Sequence, residues 1–184
     1  MADMHFPKPS LWQASLAVLA MGAVVLASNI LVQYAINDWL TWGALTYPFA
    51  FLVSELVNRA YGPAQARRLV WVGFAVAVLA SGVLAPLRIA AASGLAFLMS
   101  QMLDVKVFHR LRQRRWWQAP LIATALAAVL DTCIFWSVGF AGQDLPWMTW
   151  ALGDLGVKLV MAVGLLLPFR LLIAQRAQSH QTRK

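Results

Sequence analysis

The sequence predicts an all-α integral membrane protein with six transmembrane helices, and three observations carry that reading. Of 184 residues, 61% are hydrophobic and only 12% charged, against about 25% charged in a typical soluble domain. The apolar residues fall in runs of about the 20 residues that a helix needs to cross a hydrocarbon core of ~30 Å. The basic residues gather in alternate connections, as membrane insertion requires.

The first span is expected over Trp12–Tyr34. It is too long for a signal-peptide core, and no small-x-small cleavage site follows it, so it reads as retained. The second, Thr41–Asn58, follows the short connection Ala35–Leu40. The third, Leu69–Pro86, follows the basic connection Arg59–Arg68 and stops at the Pro86 corner. The fourth, Arg88–Phe108, opens with a run of small residues, Ala90 to Gly94, suited to close helix packing. The fifth, Gln118–Ala141, follows the Arg-rich His109–Trp117 connection. The sixth, Trp147–Ile173, follows Gly142–Pro146. Residues 1–174 then form one six-helix transmembrane domain, and 175–184 a cytoplasmic polar tail expected to be disordered.

Every Lys and Arg except Arg88 and Lys158 falls on one side of this arrangement, and that side is read as cytoplasmic. Both termini then lie in the cytoplasm of a cell with the protein in its inner membrane. An odd number of spans would destroy the asymmetry. The net charge of +8 is thereby explained by loops, and no nucleic-acid partner is implied. Trp12, Trp39, Trp42, Trp116, Trp117 and Trp147 fall near the expected interfaces, where amphipathic rings sit.

Four of the seven acidic residues, Glu55, Asp104, Asp131 and Asp154, fall inside expected spans, together with Lys158. A charge at the bilayer centre costs at least ~2.5–3.5 kcal/mol, so such groups pair or face water. Helical rise places them in two layers. One, near the cytoplasmic mouth, holds Glu55, Asn58, Gln101 and Asp104; the other, near the midplane, holds Asp131, Asp154 and Lys158. Asp154 and Lys158 are spaced i, i+4 with the acid first, the favourable order for an ion pair, so they suit a structural role as well as a functional one. Glu55 and Arg59 have the same spacing. Asp131 has no base within reach on its own helix and needs Lys158 or a proton. Phe97, Gln101 and Asp104 share a helix face, and Phe135 follows Asp131 by one turn. A ring beside a carboxylate suits packing or a planar heterocycle.

Enzyme chemistry finds no support. The histidines, His5, His109 and His180, lie outside the spans, and no hydrolase pair, zinc motif or phosphate-binding loop is present. Cys133 is the one cysteine, so no internal disulfide forms. No cofactor or metal is called for.

Four segments, TYPFAFLVSELVNRAYGPAQARR (Thr46–Arg68), AFLMSQMLDVKVFHRLR (Ala96–Arg112), LDTCIFWSVGFAG (Leu130–Gly142) and DLGVK (Asp154–Lys158), resemble in order and spacing the queuosine precursor transporter family, also grouped as vitamin uptake transporters. The matching residues are Pro48, Ser54, Glu55, Tyr61, Gly62, Ser100, Gln101, Asp104, Phe108, Asp131, Thr132, Phe135, Gly142 and Lys158. The departures are Glu55 where many members have Asp, a short connection before the fifth helix, and Ala127 and Ala128 in a stretch often richer in serine. The resemblance implies a six-helix importer of 7-cyano- or 7-aminomethyl-7-deazaguanine. Its helices would be arranged as in the substrate-binding subunits of vitamin importers, without their ATPase.

The expected substrate-binding residues are Glu55, Asn58, Phe97, Gln101, Asp104, Asp131, Phe135 and Lys158. Asp131 or Asp104 would accept from the donor edge of the base. Gln101, Asn58 and Lys158 would donate to its oxygen, and Phe97, Phe135 or Trp136 would stack. The partners are then a small planar purine-like substrate and the bilayer, with a homodimer left open. Two alternatives remain: a capture subunit of an ATP-driven importer, docking through Ala90–Gly94, and a non-transporting membrane scaffold in which every buried acid is paired.

Overall fold

A computed structural model describes residues 6–84 and 86–181, with every side chain inside them except those of 77, 80–84 and 176–181. Among the described residues the chain forms eight helices: α1 (Leu11–Leu31), α2 (Trp42–Thr46), α3 (Pro48–Tyr61), α4 (Pro63–Leu84), α5 (Leu87–Leu111), α6 (Gln118–Phe140), α7 (Trp147–Gly164) and α8 (Leu166–Gln181). Those long and apolar enough to cross a membrane are α1, α5, α6 and the α7–α8 stretch Trp147–Gln175. The chain is a multi-pass membrane protein.

Local chemistry sets the helix ends. Ser10 caps α1 through a capping box: its Oγ accepts from the Gln13 amide at 3.2 Å, and the Gln13 side chain accepts from the Ser10 amide at 3.0 Å. Between α1 and α2 the chain turns through a bridge from Ala35 to Thr41, with Asn37 Oδ1 accepting from the amides of Trp39 and Leu40. Gly62 ends α3 at φ +84°, and a Cβ there would stand 2.6 Å from Cγ of Phe6. Only glycine fits both demands.

Two expected spans are broken. Pro48 has no amide hydrogen for the Ala44 carbonyl, so the second divides at Tyr47 into α2 and α3. Pro168 likewise leaves the Gly164 carbonyl free, and the sixth divides at Leu165. The third begins earlier than expected, at Pro63, because proline suits the first turn of a helix after the Gly62 corner. The polar tail expected to be disordered is helical as far as Gln181; 182–184 lie outside the described residues.

The basic connections meet at one end. Phe6 packs edge-on to His109 and under the Arg112 guanidinium, 4.3 Å from its centroid. Arg59 and Arg112 donate to each other's backbone carbonyls, and Arg170 lies over the Trp116 ring. At the other end, Arg88 Nε donates to the Val138 carbonyl at 2.9 Å and its Nη2 to Ala141, closing the end of α6. That explains the one basic residue outside the basic end that is not in a membrane layer.

Small residues let α5 and α6 approach closely: a Cβ on Gly139 would stand 3.3 Å from the Ala92 Cβ. The Ala90–Gly94 run does not offer a docking face, because Ala90, Ala92, Ser93 and Gly94 are buried within the chain. Outward positions such as Leu11, Trp12, Leu79 and Val160 are at least 73% exposed, a surface that suits lipid.

Candidate functional site

The break at Pro48 leaves Tyr47 where its ring reaches α6. Its hydroxyl donates to Asp131 Oδ1 at 2.7 Å, and Ser100 of α5 donates to the same oxygen at 3.1 Å. The other oxygen of Asp131 takes Lys158 of α7 at 2.8 Å. Lys158 also donates to Asp154 Oδ2 at 2.5 Å and to Thr132 Oγ1 at 3.3 Å, so all three of its hydrogens are engaged. Thr132 and Trp136 Nε1 donate to Asp154 Oδ2 at 3.0 and 3.2 Å. The partner that Asp131 required from another helix is therefore Lys158, and the i, i+4 pair with Asp154 also forms.

Of these groups, Tyr47, Asp131, Asp154 and Lys158 line a small open cleft of about 30 Å³. Asp131, Phe135, Asp154 and Lys158 form one wall. Ser28, Asn29 and Val32 of α1, Gly43 and Tyr47, and Ser93 and Ala96 of α5 form the rest. Ser93 donates to Asn29 Oδ1 at 2.6 Å. Phe135 presents a ring at the cleft, backed by Trp136 and Phe140.

A second polar layer lies nearer the basic end. Thr124 of α6 donates to Glu55 at 2.6 Å, Ser54 to Asp104 Oδ2 at 3.2 Å, and Asn58 Nδ2 to the Val105 carbonyl at 3.0 Å. Gln101, one turn before Val105 on α5, is fully buried. Among the described residues neither acid has an ion pair, since both ion pairs belong to Lys158. Glu55 does not pair with Arg59, which turns to the Arg112 carbonyl instead.

Of the residues expected from the sequence, Asp131, Phe135 and Lys158 meet at the cleft, and Glu55, Asn58, Gln101 and Asp104 meet in the second layer. Phe97 lines neither. It is fully buried in an apolar cluster with Met21, Phe51 and Ala127. Sequence reasoning missed Tyr47, Asn29, Ser93 and Thr124. Asn29, a lone amide in the apolar run of α1, was the available signal. The run holding Ser93, read as packing alone, also supplies a polar lining group. Asp154, expected in the midplane layer as the i, i+4 partner of Lys158, also lines the cleft, and its Oδ1 makes no hydrogen bond among the described residues.

Comparison with known proteins gives one consistent result. The family described as "Putative vitamin uptake transporter" matches residues 41–86 and 83–173. The chain is 36% identical to the queuosine precursor transporter of Escherichia coli, with 79% of each chain covered. It is 33% identical to the probable queuosine precursor transporter of Haemophilus influenzae over 78% of each. A third relative, from Bacillus subtilis and with the same printed name, is 31% identical over 55% of this chain and 57% of its own. No solved structure matches the chain.

Proposed function

From the chain's membership of the vitamin uptake transporter family, to which it belongs together with proteins named queuosine precursor transporters, we propose that it imports a queuosine precursor, 7-cyano- or 7-aminomethyl-7-deazaguanine, across the bacterial inner membrane. The family is one of transporters, and the chain is not an enzyme. Six crossings carry the function, two of them the broken pairs α2–α3 and α7–α8, in one domain over residues 1–174. The basic end, with both termini, faces the cytoplasm; the grouping of Phe6, Arg59, Arg112 and Arg170 at one end supports that orientation.

The observation that carries the reading is the wall of the cleft. There a lysine and two carboxylates stand beside an aromatic ring, with an unused carboxylate oxygen, Asp154 Oδ1. A deazaguanine offers a ring N–H and an amine side by side, which a carboxylate accepts, and a ring oxygen that takes an ammonium donor. Asp154 and Asp131 receive the donor edge, Lys158 gives to the oxygen, and Phe135 stacks on the ring. The layer of Glu55, Asn58, Gln101 and Asp104 lies between this cleft and the cytoplasmic end.

The deciding experiment measures queuosine in the tRNA of a strain that cannot make its precursors. The strain is grown with and without this protein, each 7-deazaguanine supplied in turn. Queuosine that appears only with the protein is expected. Equal queuosine in both strains, at limiting precursor, would discard the reading.

A further inference from the structure

The second polar layer is incomplete as it stands. Gln101 is fully buried, and neither its amide nitrogen nor its oxygen has a partner. Asn58 Oδ1 and Asp104 Oδ1, equally buried, also lack one. Three acceptor oxygens and one amide nitrogen on α3 and α5 are thus buried without a hydrogen bond among the described residues. Native interiors leave few such groups, and each one asks for a missing partner.

Among the described residues no basic side chain supplies it. Arg59 of α3 and Arg112 after α5 bond each other's backbone. Lys106 of α5 and Arg67 and Arg68 of α4 are exposed, and Arg170 of α8 lies over Trp116. His109 packs against Phe6. On α6 and α7, Asp131 and Asp154 are held by Lys158, and α1 and α2 carry no titratable residue. Glu55 directly follows Ser54, whose hydroxyl donates to Asp104 at 3.2 Å, so the two acids stand close on facing helices. Two neighbouring carboxylates in hydrocarbon with no cation cannot both remain ionised.

A hard metal ion gathers roughly six or more oxygens, and this layer has three free. A proton needs one acceptor and one neighbour. Placed on Asp104 Oδ1, it removes a charge and turns an acceptor without a donor into a donor for the Asn58 or Gln101 oxygen.

We propose that Glu55 and Asp104 form a proton-carrying pair, and that proton entry through it drives the import proposed above. The pair is loaded when the layer opens outward. Loaded, both carboxyls are protonated; unloaded toward the cytoplasm, they share one proton, and the remaining charge in hydrocarbon favours return. This coupling rests on the import reading, but the proton pair itself does not.

The test uses the full-length protein in vesicles, with membrane potential clamped and labelled 7-aminomethyl-7-deazaguanine as probe. A one-unit pH gradient, acid outside, should support up to about tenfold accumulation for one proton per substrate. Glu55→Gln and Asp104→Asn should abolish the gradient's effect, and a sodium gradient should have none. Accumulation that ignores pH, or follows sodium, overturns the coupling. Exchange of labelled for unlabelled substrate needs no gradient; its absence would count against the import reading instead. Infrared difference spectra of the wild-type protein across pH decide the pair independently. A protonated-carboxyl band that titrates and disappears in Asp104→Asn is expected, and a wild type without such a band at any pH overturns it.

Discussion

Asp131 of α6 and Lys158 of α7 meet at 2.8 Å in the wall of a cleft, so one ion pair both joins two helices and faces the space where a solute would sit. Its two oxygens are unequal: one holds Lys158, the other the hydroxyls of Tyr47 and Ser100. Any solute that takes Lys158 for itself loosens α7 from α6 while Tyr47 keeps α6 tied to the α2–α3 break. Binding is thereby linked to the packing of three elements.

The ion pair can be separated from its structural share. Removing one partner of a buried pair costs about 3–5 kcal/mol, because the other charge is left alone. Lys158→Met, which strips the cation from both Asp131 and Asp154, should lower thermal stability in detergent and abolish uptake, while Asp131→Asn, which leaves Lys158 paired with Asp154, should abolish uptake at a smaller cost in stability. The double variant still leaves Asp154 without its cation, so it should recover little of the stability and none of the uptake. Wild-type uptake by the double variant would show that the pair serves packing only.

Charge balance at the cleft favours a cationic solute. With all three groups ionised, Asp131, Asp154 and Lys158 carry one net negative charge in a poorly solvated wall. The aminomethyl base, a cation at neutral pH, neutralises it; the cyano base does not. Competition uptake should show the aminomethyl form preferred. Asp154→Asn should shrink that preference toward unity, about 1 kcal/mol or more of discrimination. An unchanged ratio would mean that Asp154 does not see the substituent.

Phe135 offers the ring on which a planar base would stack. Aromatic pairs are worth about 0.5–1.5 kcal/mol beyond area burial. Phe135→Leu should therefore weaken half-saturation roughly two- to tenfold at unchanged expression, while Phe135→Tyr should stay near wild type. Equal values for Leu and Tyr would remove stacking from the binding account.

Much of this arrangement was legible because lipid is an unforgiving solvent. Long apolar runs and one-sided arginines located the helices, and buried charges named both polar layers, since Asp131 had to find Lys158 or a proton. What stayed hidden was three-dimensional. Tyr47 looks like an ordinary boundary aromatic until Pro48 breaks the helix beside it and leaves its hydroxyl within reach of Asp131. Glu55 and Arg59 have ion-pair spacing, but the Arg112 carbonyl wins the guanidinium and Thr124 wins the carboxylate. Phe97 shares a helix face with Gln101 and Asp104, yet it is buried in an apolar cluster with Phe51. Spacing fixes which residues share a face; only neighbouring helices decide which partner each one meets.

The Gly62 corner joins the basic end together and gives a test of the fold free of the cleft. At φ +84° and ψ 172° its backbone lies in a region that only glycine occupies cheaply. Phe6 also fills the space a Cβ would need. Gly62→Ala should cost about 1–3 kcal/mol in backbone strain, plus displacement of Phe6 from beneath Arg112. Gly156, exposed within α7 with nothing within 4 Å of its would-be Cβ, is the control. Gly156→Ala should be neutral or slightly stabilising, as alanine is the better helix former. Fluorescence-detected melting of both variants in one detergent measures the difference. Equal melting temperatures would show that the N-terminal segment does not lock this corner and that the contact between Phe6 and Arg112 contributes nothing to holding the basic end closed.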